Sequence, residues 1–138
     1  MRFTLLLAAV LCLLSMSSLL AHHSFAAEFD ANKPVTLRGV VTKMAWSNPH
    51  AWIYVDVKGR DGKVVNWAIE TGSPNGLYRR GWRKTDLPSG AELVIEGYLA
   101  KDGTPTVNAA NITLPDGRRL FAGSSGTGAP SDLTPTGR

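Results

Sequence analysis

Three histidines, His22, His23 and His50, are the side chains in this sequence best suited to hold a metal ion. His22 and His23 follow Ala21 directly. A chain cut after Ala21 would open on a free α-amino group beside an imidazole, and the two together can chelate one ion. Imidazole suits copper, zinc or nickel, and a planar, nitrogen-rich set favours Cu(II). His50 follows the turn signal Asn48-Pro49 and would supply a third nitrogen if the arm bearing His22 and His23 folds back onto that turn. The competing reading is plain: histidines beside a cleavage point are surface residues, and a histidine at a turn caps it or hydrogen-bonds within the fold. No cluster of Cys or Met accompanies the histidines, which argues against a Cu(I) thioether site.

Two further groups of residues could bind a ligand. Trp52 and Tyr54 stand two apart in an alternating run, so they share one strand face and could stack on a sugar, a base or an aromatic ligand. The alternative is that they cover the end of the domain or the N-terminal arm. The run Tyr78-Arg79-Arg80-Gly81-Trp82-Arg83-Lys84 interleaves four cations with two aromatics and could bind an anionic group. It reads equally as a solvated charged face. Signatures of catalysis are absent: the sequence contains no glycine-rich phosphate loop, no GxSxG, no CxxC and no HExxH. Glu70 and Asp56 read as isolated acids on strands.

These residues need a scaffold, and the sequence predicts a small all-β one. Short β-type runs begin at Val35, His50, Lys63, Glu92 and Thr106, with a last piece from Arg118 to Phe121. Asp61-Gly62, Asp102-Gly103 and Pro115-Asp116-Gly117 mark the turns. In the second run Ala51, Ile53, Val55 and Val57 face one way and Trp52, Tyr54, Asp56 and Lys58 the other. One helix is expected after Ser73-Pro74, an N-cap followed by proline at the first helical position, and Gly81 should stop it. The order β-β-β-α-β-β matches a five- to six-stranded, OB-like Greek-key barrel with its helix between strands 3 and 4. A small β-sandwich is the alternative.

The ends of the chain read differently. Residues 1–21 carry one charge at Arg2, an apolar run from Leu5 to Leu14 and small residues before Ala21, the layout of a secretory signal peptide. The apolar run is too short to span a bilayer, so no stable membrane insertion is expected after cleavage. Cleavage after Ala26 is the competing site and would remove His22 and His23. Residues 22–33 are expected to dock on the barrel as an arm through Phe25 and Phe29, residues 34–121 to form the β-domain, and residues 122–138, rich in Gly, Ser, Thr and Pro, to be a disordered tail. The chain has 138 residues, too few for two ordinary domains. Its single cysteine, Cys12, falls within the signal segment, and the net charge of +4 is not a nucleic-acid-binding balance.

The strings Ala21-His-His-Ser-Phe-Ala-Ala-Glu-Phe-Asp30, Trp46-Ser-Asn-Pro-His-Ala-Trp-Ile-Tyr-Val55, Asn66-Trp-Ala-Ile-Glu-Thr-Gly-Ser-Pro-Asn75 and Arg80-Gly-Trp-Arg-Lys84 resemble an uncharacterised family of small secreted bacterial proteins, a domain of unknown function. The resemblance spans residues 21–123 and implies a periplasmic address and a compact β-domain. It implies no activity and no catalytic residue. The expected function is a small periplasmic or secreted, non-enzymatic binding or accessory module. Its ligand would be a copper-like metal held by His22, His23 and His50, or, without metal, a protein or glycan held by Trp52, Tyr54, Arg79, Arg80, Trp82, Arg83 and Lys84.

Overall fold

The strand pairings of the computed structural model, which describes residues 24–124 and 129–130, close into a ring. A short helix, α1 (Ser24–Glu28), leads into β1 (Phe29–Ala45); β2 (Trp52–Lys58) and β3 (Val64–Glu70) follow, then α2 (Pro74–Arg79), a 3-10 turn (Lys84–Asp86), β4 (Glu92–Ala100), β5 (Thr106–Thr113) and β6 (Arg119–Phe121). β1 pairs antiparallel with both β2 and β4, β2 pairs with β3, β4 pairs with β5, and a parallel contact between β3 and β5 shuts the barrel. This is the expected OB-like plan, with α2 between the third and fourth strands. β6 continues along the edge of β5 beyond the stretch used by β3. Among the described residues no helix is long and apolar enough to cross a membrane.

β1 is long because it serves two neighbours. Its residues from Pro34 to Val40 pair with β4, and from Val40 to Ala45 with β2. Gly39 lets the strand lie close against β2: a Cβ there would stand 3.0 Å from the Asp56 carbonyl oxygen and from Val57. A register slip between Val41 and Lys43 then shifts the side-chain phase by one. Val41 and Met44 can therefore both face the core, although three apart. The alternation read in β2 holds: Ala51, Ile53 and Val55 are fully buried. They meet Ile69, Leu93, Ile95, Val107 and Ile112 in one cluster. Each aliphatic side chain fully buried there contributes about 1.5–3 kcal/mol of hydrophobic stabilisation.

Two boundaries differ from the sequence reading. The first strand starts at Phe29, inside the segment expected to be an arm, because Phe29 pairs with Ala100 before the register slips and resumes at Pro34. Phe25 and Phe29 are both buried, stacked at 5.8 Å, with Phe25 edge-on to Tyr98 at 5.5 Å and Ala110 beneath. A second, smaller core thus covers the outer face of β4 and β5. At the other end the ordered chain continues past Phe121. Ala122 is fully buried; its N–H donates to the Ala110 carbonyl and its own carbonyl accepts from Gly72. Backbone hydrogen bonds hold this stretch in place of the side-chain burial that its composition lacks.

Candidate functional site

The loop from β1 to β2 and the end of β3 are clipped together by backbone. The Ala51 N–H donates to the Gly72 carbonyl at 3.0 Å, and the Thr71 N–H and hydroxyl both donate to the Ala51 carbonyl. That clip sets His50 beside Glu70. The Nδ1 of His50 contacts Oε1 of Glu70, whose side chain is only 8% exposed against 28% for His50. Glu70 stands opposite Trp52 on β2 and opposite Asn108 on β5, at the point where the barrel closes. Its second oxygen, Oε2, is buried without a hydrogen bond. With Nδ1 engaged, Nε2 is the ring nitrogen left for a ligand.

Burial holds the Glu70 carboxyl above its usual range. The charge and hydrogen bond of His50 pull it back, the negative charge of Glu28 on α1 pushes it up, and the Asn108 side chain pulls it down. The N-terminal segment is therefore close enough to act on this site electrostatically. Glu70 binds its proton more tightly folded than unfolded, so its contribution to stability is complete below the ordinary carboxylate range and is lost as pH climbs through the raised folded value. Glu70→Gln, which is neutral at every pH, should lose that part of the pH dependence. Urea unfolding from acid to neutral pH checks this: wild type should gain on the variant as the solution is acidified toward the ordinary carboxylate range.

His50 lines a cleft of about 400 Å³ with Pro49, Gly72, Ser73, Arg79 and Arg80. The two arginines come from the end of α2, whose start is fixed as the sequence predicts. Ser73 Oγ accepts from the Gly76 N–H at 3.2 Å, and Pro74 takes the first turn. Arg80 is held in place: its Nη1 donates to the Gly123 carbonyl at 2.7 Å and its guanidinium lies 4.7 Å from the Phe121 ring centre. Arg79 is exposed.

The rest of the basic run divides. Trp82 is 1% exposed and belongs to the barrel core, not to a binding surface. The cause is local. After α2 the chain passes through Gly81 at φ +94°; the Gly81 N–H donates to the Tyr78 carbonyl and the Trp82 N–H to the Leu77 carbonyl. This Schellman turn throws the residue after the glycine back onto Leu77. The indole N–H of Trp82 then donates to the Phe121 carbonyl at 3.0 Å. Arg83 leaves the cleft for the Tyr78 ring, 4.2 Å away, and Lys84 opens the exposed 3-10 turn.

Trp52 and Tyr54 share the half-buried outer face of β2, where Lys43 Nζ lies 5.7 Å from the Tyr54 ring centre. Trp52 walls a separate groove of about 450 Å³. His22 and His23 lie outside the described residues. Among the described residues no three His, Cys, Asp or Glu side chains gather as a ready metal site. Asp56 is satisfied across the hairpin, accepting from Asn66 Nδ2 at 2.8 Å. Glu70 is the residue that the sequence reading passed over. Its signal was the hairpin: with Arg60-Asp61-Gly62 as a three-residue turn, counting outward from Gly59 opposite Lys63 sets Trp52 opposite Glu70, two residues from His50.

No curated protein and no solved structure matches the chain. A family model nonetheless matches residues 9–109. The chain belongs to that family, described as a family of unknown function (DUF6152).

Proposed function

We propose that this protein is a small exported, non-enzymatic binding or accessory module, and that its ligand seat is the cleft where His50 meets Arg79 and Arg80. The observation that carries this reading is the contact between His50 Nδ1 and the buried Glu70 carboxylate, which fixes the imidazole beside two guanidinium groups in one concavity. Preset donors of this kind suit an acidic group displayed by a partner protein or glycan. Arg80, locked against Phe121 and Gly123, loses little side-chain freedom when such a group arrives.

The test is a calorimetric titration of the mature, untagged chain with oligogalacturonate and with a short polyglutamate peptide. At least one should bind, weaken steeply as salt rises, and lose about tenfold in Arg79→Ala. Failure of both probes at low salt would overturn the reading.

A second reading has its own support. A histidine whose Nδ1 is anchored on a carboxylate presents Nε2 as metal-ligating histidines do, and Glu70 Oε2 is a buried oxygen with no donor. On this reading a copper-like ion is held by His50 together with His22, His23 and the free amine. Titration with Cu(II), followed by electron paramagnetic resonance, should then give nitrogen couplings that diminish in His50→Ala. A mature mass beginning at Ala27 would remove His22 and His23 and sink it.

A further inference from the structure

Beside Trp52 lies a groove that the His50 cleft does not include. Its walls are Trp52 from β2, Glu28 and Phe29 where α1 meets β1, Lys101, Asp102 and Thr104 from the turn between β4 and β5, and Thr106 at the start of β5. Its volume of about 450 Å³ falls within the range of small-molecule sites. In barrels of this plan, ligands including oligosaccharides lie across the second and third strands and the loop between the fourth and fifth.

The groove is built in advance. The Lys101 N–H donates to the Glu28 carbonyl at 2.8 Å, and Lys101 Nζ bonds the Ala26 carbonyl, so the N-terminal segment is tied to the turn. Within the turn, Asp102 Oδ1 accepts from both the N–H and the hydroxyl of Thr104. A partly exposed indole forms one wall, and a dense set of donors and acceptors forms the other.

Charge decides which ligand such a surface takes. Two carboxylates, Glu28 and Asp102, face the groove against one ammonium, Lys101, whose Nζ is already engaged. That balance disfavours phosphate, so a nucleotide stacked on Trp52 would set its charge against like charge. A neutral polyol meets no such penalty. Its C–H face can lie on the indole while its hydroxyls exchange hydrogen bonds with carboxylates and threonine hydroxyls. We infer that this groove is a binding site for a neutral polyhydroxylated ligand, a short stretch of hexose polymer. The inference stands apart from any reading of the His50 cleft.

The experiment is a two-dimensional NMR titration of the full mature chain with glucose, maltotetraose and cellotetraose. At least one tetrasaccharide should move the Trp52 indole signal and the amides of Lys101 to Thr106. Saturation is expected at a dissociation constant on the order of 1 mM or tighter, with glucose at least about tenfold weaker. Glucose binding as tightly as the tetrasaccharides would show a site for free sugar and overturn the polymer assignment. Trp52→Leu should abolish the shifts. Thr104→Arg, at an exposed turn position, should block the groove without touching the core and so covers the case in which Trp52→Leu does not fold. No shift with any of the sugars, shifts confined to another face, or unaltered binding in a folded Trp52→Leu or Thr104→Arg variant would overturn the inference.

Discussion

Trp82→Ala should destabilise the domain by about 4 kcal/mol and lower its melting temperature by roughly 20 °C. The indole is one of the largest fully buried side chains in the described structure, and it packs with Leu77 beneath the short helix. Truncation removes its transfer free energy and leaves a cavity that the closed sheet cannot collapse to fill. It also strips the Phe121 carbonyl of the indole donor, a further cost of about 1 kcal/mol. Trp82→Phe separates these contributions: it keeps most of the volume, leaves a small void and loses the donor, and it should cost about half as much. Tyr78→Ala is the control. Tyr78 is 59% exposed and its ring meets the Arg83 guanidinium, a contact worth about 0.5–1 kcal/mol at an exposed site. Urea unfolding of the three variants reads all of this. Equal costs for Tyr78→Ala and Trp82→Ala would mean that the basic run is a surface patch after all.

A run of cations around two aromatics looks like a surface, and composition alone cannot tell which ring faces in. The deciding fact is the backbone at Gly81, whose left-handed conformation turns the next residue inward. Read as a Schellman signal, Leu77-x-x-x-Gly81-Trp82 already contains the answer. Strand order, by contrast, was legible because local signals agree with the tertiary plan: alternation in β2, Asp-Gly turns, and a helix capped by Ser73. The slip at Val41 and Lys43 was not legible, since a bulge is chosen by the two partner strands rather than by the strand that carries it. The ordering of Ala122 to Ser124 was hidden for a related reason. That segment is held by backbone bonds to Gly72 and Ala110, and side-chain composition does not report them.

The candidate site shows the same division. His50 stood out by residue type, and the role of the arginines could be weighed from charge. The pairing of His50 with Glu70 depends on two strands meeting in register and on a third, β5, arriving beside them. A carboxylate at the end of an ordinary strand reads as solvated until that third strand is known. Its burial then raises its proton affinity and gives the adjacent imidazole a fixed partner. Sequence alone supplied His50 and the arginines; barrel closure supplied Glu70 and the electrostatics of the site.

The fit of β4 against β5 leans on one residue. Gly97→Ala should cost about 3 kcal/mol, although Gly97 sits in a strand where alanine would ordinarily be tolerated. A Cβ at this position would stand 2.3 Å from the Asn108 carbonyl oxygen and 2.6 Å from Val107 Cγ1. Neither neighbour can yield easily: one is backbone of β5, and the other is a fully buried core side chain. The register of β4 against β5 slips between Glu96 and Gly97, and the strands approach closely at that slip. Backbone conformation is not the cause, because Gly97 is not among the glycines with positive φ. Gly103 provides the comparison. It has φ +78° and open space around its Cα, so alanine there should cost only about 1 kcal/mol, through conformation alone. Val107→Ala should recover part of the loss in a Gly97→Ala background but not all of it, since the carbonyl contact remains; a double-mutant cycle in urea measures the coupling. The displaced strand carries Asn108, the neighbour of Glu70, so the variant should also disturb the His50 resonances in an NMR spectrum. A Gly97→Ala protein of wild-type stability would mean that β4 and β5 do not approach this closely.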